Sequence, residues 1–105
     1  MLTNKQTSKN HVALKKNQFG VVQYPADDAR RLFVLVAAID LLERATAASI
    51  ADMTGIAIDA IDGDVDILRE QYGVAIACLG NVYRIDDWGD VLQREGVIRK
   101  MRDAN

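Results

Sequence analysis

Cysteine, histidine and proline each occur once in the 105 residues, and these scarcities close several routes at the outset. A single thiol, Cys78, cannot form an internal disulfide, which suits a reducing cytoplasm. It stands in an apolar stretch and reads as a small buried hydrophobe. His11 has no companion at ligand spacing, so neither a metal site nor an imidazole-based catalytic set is expected. No glycine loop of the phosphate-cradling kind occurs, and the carboxylates fall on capping and solvent positions; no enzyme and no cofactor are expected. Long apolar runs are missing too. "LFVLVAAI", Leu32–Ile39, is stopped by Asp40, well short of the about 20 residues a bilayer span needs. The N-terminus has no apolar signal core. A cytoplasmic, non-membrane protein is the expectation.

Acids are absent from residues 1–20, which hold Lys5, Lys9, Lys15 and Lys16. Residues 46–74 reverse this, with Asp52, Asp59, Asp62, Asp64, Asp66 and Glu70 against Arg69 alone. The chain then ends on a basic cluster, Arg99, Lys100 and Arg102. The net charge of −2 therefore conceals basic ends around an acidic middle.

Half of the residues are hydrophobic, enough for one packed domain that buries about 60–65% of its unfolded surface. Residues 1–18 are polar to basic and lack periodicity, and are read as a flexible basic arm. Residues 19–105 are read as the folded domain. "FGVVQY", Phe19–Tyr24, is β-branched and aromatic, which predicts a short strand. Asp27 or Asp28 can cap a first helix running to about Arg44, with Leu32, Leu35, Val36, Ile39 and Leu42 as its buried stripe. Thr46 can cap a second, short helix that buries Ile50 and Met53 and is closed by Gly55. A third helix is predicted from about Ala57 to Tyr72, with Ile61, Val65, Leu68 and Tyr72 inward. "VAIACLGNVYRID" then reads as a β-hairpin. A last helix is predicted over about 87–102, capped by Asp87, with Trp88, Val91, Leu92, Ile98 and Met101 as an apolar stripe. The class is α+β, mainly α.

That order, together with "TAASIADMTGIA" (Thr46–Ala57), "IDGDVDILREQYGVAI" (Ile61–Ile76) and "NVYRI" (Asn81–Ile85), resembles a winged helix-turn-helix of the biotin-repressor type, related to the DeoR-like regulators. The resemblance covers about Arg31 to Asp86. It implies a three-helix core with a β-hairpin wing, here followed by a C-terminal helix and preceded by a flexible arm. It also implies a small DNA-binding transcriptional regulator, bacterial or from a mobile element, whose third helix enters or flanks the major groove while the wing touches the backbone. The DNA-facing positions would be Thr46, Ala57, Asp59, Ala60, Asp62 and Gly63, with Arg84 on the wing, Arg30 and Arg31 near the first helix, and the four N-terminal lysines along phosphates.

The departures are informative. Family members tend to carry Arg, Ser or Thr where this chain has Ile58, Asp59, Asp62 and Gly63. One carboxylate can accept from a cytosine amino group, but two about 6 Å apart repel by roughly 1–3 kcal/mol. The alternative is a protein-interaction module whose acidic third-helix face binds a protein partner. Asp64 matches the family and reads as structural, and Arg84 has a nearby Asp as a competing partner. "DGDVD" resembles the opening of an EF-hand loop, but Ile67 and Gly73 stand where that loop needs Gly and Glu, so no calcium is expected. Gly63 in mid-helix either lets a partner come close or is a tolerated weak spot. The last helix either packs on the first or makes a homodimer through Trp88, Leu92, Ile98 and Met101. Double-stranded DNA is the expected partner, and a nucleoid-associated location follows if it binds.

Overall fold

The computed structural model describes residues 14–103. Helix α1, Arg30–Leu41, starts where Asp28 Oδ1 accepts the Arg30 N–H at 2.9 Å, satisfying one of the amides that every helix start leaves unpaired. It is shorter than the expected 27–44, because Asp27 lies in a turn and the backbone becomes extended at Leu42. Leu32 and all of Val34–Ile39 are buried, so α1 is enclosed on most sides rather than along one stripe.

Strand β1, Ala45–Thr46, leads directly into helix α2, Ala47–Thr54. Thr46 Oγ1 accepts the Ser49 N–H at 3.0 Å, and Ser49 Oγ accepts the Thr46 N–H at 2.9 Å, a reciprocal capping box. Gly55 closes α2 at φ 80°, a left-handed conformation that costs glycine little. A 3-10 turn, Ile58–Ala60, feeds helix α3, Ile61–Tyr72. Ile61, Val65 and Leu68 point inward, as their spacing requires, and Tyr72 meets Phe33 edge-on at 6.1 Å between ring centroids. Met53, expected inside, is half-buried; the buried residues of α2 are Ile50 and Thr54.

Strands β2, Ala75–Leu79, and β3, Val82–Asp87, form the expected hairpin. β1 pairs with the far edge of β3, giving a three-stranded antiparallel sheet in the order β1-β3-β2. The hairpin rests on the core through Ile76 near its base and Tyr83 nearer its tip, while the last pair, Leu79 and Val82, is more open. Cys78 is exposed, which corrects its reading as a buried hydrophobe. Its alternation with Ile76 is real, and it stands opposite buried Tyr83, but on the edge strand β2 and not on the central strand β3.

Asp87 caps no helix. It ends β3, and its Oδ1 accepts the Gly89 N–H at 2.8 Å. Trp88 to Gln93 are irregular, and helix α4 begins only at Arg94, running to Arg102. It packs along α1 with Val97 and Met101 buried. The carbonyls a helix end leaves open are answered in turn. Val22 N–H donates to Met101 O at 2.7 Å, Tyr24 Oη to Lys100 O at 2.6 Å, and Asp103 N–H to Arg99 O at 2.7 Å. Val21 and Val22 are fully buried by this docking. The strand expected at Phe19–Tyr24 is thereby reduced to one bridge, Lys16 to Val22, since Val22 gives its N–H to the helix instead of a neighbouring strand.

The described residues thus form a mainly helical α+β fold of four helices and a small antiparallel sheet, compatible with a winged helix. Among the described residues no helix is long and apolar enough to cross a membrane.

Candidate nucleic-acid interface

The outer side of the turn and helix α3 carries Ala57, Ile58, Asp59, Asp62 and Gly63, all exposed, with Ala60 half-buried. Thr46 is held at the start of α2 by its cap. Most of the acids here serve partners inside the molecule. Asp62 accepts a hydrogen bond from Tyr83 Oη on β3. Asp64, with its side chain 7% exposed, pairs with Arg31 at 3.0 Å, in line with its structural reading. Asp66 pairs with Arg69 one turn on, at 3.0 Å. Asp59 makes no hydrogen bond or ion pair among the described residues.

Among the described residues two side chains hold the hairpin against α3: Tyr83 bonds Asp62, and Arg69 Nε donates to Ile76 O at 2.9 Å; Val74 N–H, donating to Leu68 O at 3.2 Å, closes the end of α3. Burial of its ring and the nearby Asp62 carboxylate push the Tyr83 phenol above its ordinary range. Burial also raises Asp64, against the pull of Arg31. The sign follows from the direction: a carboxyl raised on folding favours the fold most at low pH, and that contribution is lost as pH climbs through its folded value.

Arg31, expected at phosphate, is engaged inside the molecule. Its guanidinium is tied to buried Asp64, beside a cavity of about 170 Å³ lined also by Gln23, Tyr24, Thr54 and Ile56. Arg30 pairs with Asp28 at 2.7 Å and lies 4.6 Å from the centre of the Tyr24 ring. Arg84 pairs with Asp86 at 2.8 Å, the competing partner that its position offered. Lys15 and Lys16 are exposed; Lys5 and Lys9 lie outside the described residues, as do the rest of 1–13.

The arm boundary moves as well. Residues 14–18 fall within the expected flexible arm, yet Gln23 N–H bonds Lys15 O at 2.8 Å and Asn17 Nδ2 donates to Met53 O at 2.8 Å. Gln23 Nε2 reaches Thr54 O at 2.9 Å. The segment is anchored beside the turn between α2 and α3.

The candidate dimer residues do not form one helical face. Trp88 and Leu92 precede α4, and with Ile98 they are half-buried against the core. Met101 is 1% exposed and belongs to the interior, so it cannot meet a second copy.

Tyr83, Arg69, Asn17 and Gln23 position this face and escape a reading of the sequence alone. The alternation of "NVYRI" marks Tyr83 as inward-facing, but nothing local names Asp62 as its acceptor. Among the described residues no group of three His, Cys, Asp or Glu could hold a metal ion.

The fold and this face together define an α+β domain that presents one acidic helix beside a two-stranded hairpin. No family model, no curated protein and no solved structure matches the chain.

Proposed function

We propose that the chain is a winged helix-turn-helix DNA-binding protein that regulates transcription. The supporting observation is topological: β1 closes the sheet in the order β1-β3-β2, leaving α3 outward with the hairpin fixed at its side. Two helices joined by a tight turn suit one of them to the major groove, and a hairpin beside it suits the adjacent backbone. Asp62 holds Tyr83 and reads no base; Asp59 is the carboxylate free to accept from a cytosine amino group.

Asp59→Asn tests this directly. Removing one charge next to phosphate relieves roughly 1 kcal/mol, so binding to non-specific duplex at low salt is expected to strengthen about fivefold. Unchanged affinity would take this face off the DNA.

One observation favours a second reading. Ile58 is 55% exposed next to Asp59 and Gly63, an apolar and acidic patch suited to docking a basic or apolar protein surface. On that reading the domain is an interaction module of the same fold.

A further inference from the structure

An acidic α3 face needs positive charge from elsewhere if a duplex is to stay on it. Five arginines are neutralised by aspartates of the same chain: Arg30, Arg31, Arg69, Arg84 and Arg94. Lys15, Lys16, Arg99 and Arg102 differ. All four are exposed, and among the described residues they make no ion pair.

Nor are they scattered. The extended segment around Val22 lies between them, with Lys16 bridged to Val22 on one side and Met101 O bonded to Val22 N–H on the other. Gln23 and Tyr24 repeat the arrangement, bonding Lys15 O and Lys100 O. The lysine pair and the end of α4 therefore lie on either side of the segment around Val22, each bonded directly to its backbone or bridged with it. Arg99 and Arg102, three residues apart, share one outward side of α4. Lys100 adds to the cluster, and Asp103 takes one charge away. Arg44, also exposed and without an ion pair among the described residues, lies apart. Arg94 pairs with Asp40 at 2.8 Å, which sets the start of α4 beside the end of α1, so Arg44 is toward the opposite end of α4.

We propose that Lys15, Lys16, Arg99 and Arg102 form a phosphate-gripping surface for the backbone of duplex DNA. This rests on the DNA-binding reading and deepens it: the hold comes from the joined N-terminal segment and α4 end, not from the hairpin. A duplex offers one negative charge per about 1.7 Å of its axis, so cations set on both sides of one extended segment meet several phosphates at once. The same segment is anchored to the α2–α3 turn through Asn17 and Gln23, which ties the grip to the base of α3.

The test is the slope of log affinity against log salt for the full chain on a short labelled duplex. Lys15→Gln/Lys16→Gln and Arg99→Gln/Arg102→Gln are each expected to lower the slope by about 2, at about 0.9 for every phosphate no longer neutralised. Arg44→Gln should leave it unchanged. Wild-type affinity and slope in both double variants would overturn the grip and leave the DNA-binding reading standing. Failure of the wild-type chain to bind any duplex at low salt would overturn that reading, and this surface with it. Should the α4 variant lose its helical circular dichroism, the lysine pair alone decides, since those side chains are exposed and carry no packing role.

Discussion

Tyr83 joins β3 to α3 through one hydroxyl, and the chemistry of that bond sets what its loss does. The ring is 7% exposed, and its Oη donates to Asp62. Tyr83→Phe keeps the packing and frees a carboxylate that water can solvate, so a cost of about 1 kcal/mol is expected in chemical denaturation. The phenol is raised from its ordinary value of 10.0 by burial first and Asp62 second. Its stabilising share is therefore complete below pH 10.0 and is lost as pH climbs further, through the folded value. In an ultraviolet titration of the folded protein, Tyr83 should be a late tyrosine to ionise, and Tyr83→Phe should remove that phase. Ionisation of the three tyrosines at one ordinary pH would refute it. At this scale the sequence is only half legible. Arg84 and Asp86 are two residues apart, and their pairing is in reach of simple spacing. Asp62 with Tyr83 and Asp64 with Arg31 are brought together across 21 and 33 residues. The acids therefore look like a surface aimed at a groove until the fold supplies their partners.

The elements obey their local signals wherever a signal is local. Thr46 caps α2, Gly55 and Gly73 end α2 and α3 in left-handed backbone, and "LGN" turns the hairpin. What depends on distant contacts is not legible in this way. β1 is two residues long and exists only because β3 pairs with it, so it has no period to read. Helix α4 starts later than the spacing predicts: Trp88, Val91 and Leu92 happen to match a helical period, whereas Asp87 is drawn into β3 and a turn. Two glycines separate conformational need from tolerance. At Gly55 a side chain would strain the left-handed backbone and strike the Gln23 amide. Gly55→Ala is expected to cost about 2 kcal/mol and to lower Tm by about 10 °C. Gly63 is helical, and a methyl there meets nothing within 4 Å. Gly63→Ala should raise stability by about 0.5–1 kcal/mol. Thermal melts of the pair check both, and equal effects would mean that the turn at Gly55 is not built as described.

Over the whole molecule, charge is sorted by place more than by amount. The cations of the hairpin and of α3 are spent on neighbouring aspartates, while Lys15, Lys16, Arg99 and Arg102 are exposed and make no ion pair among the described residues. The sequence makes the segregation visible but not its geometry, because the docking of Val22, Gln23 and Tyr24 between the Lys15–Lys16 stretch and the end of α4 is what joins the two. Binding by such a protein should depend strongly on salt and weakly on sequence, with α3 adding what discrimination there is. The most direct measurement is duplex affinity of the full wild-type chain at about 50 and about 200 mM salt. Four phosphate contacts imply a fall of about a hundredfold over that range. Absence of binding at the lower salt, or affinity that does not change across the range, would contradict duplex recognition by this domain.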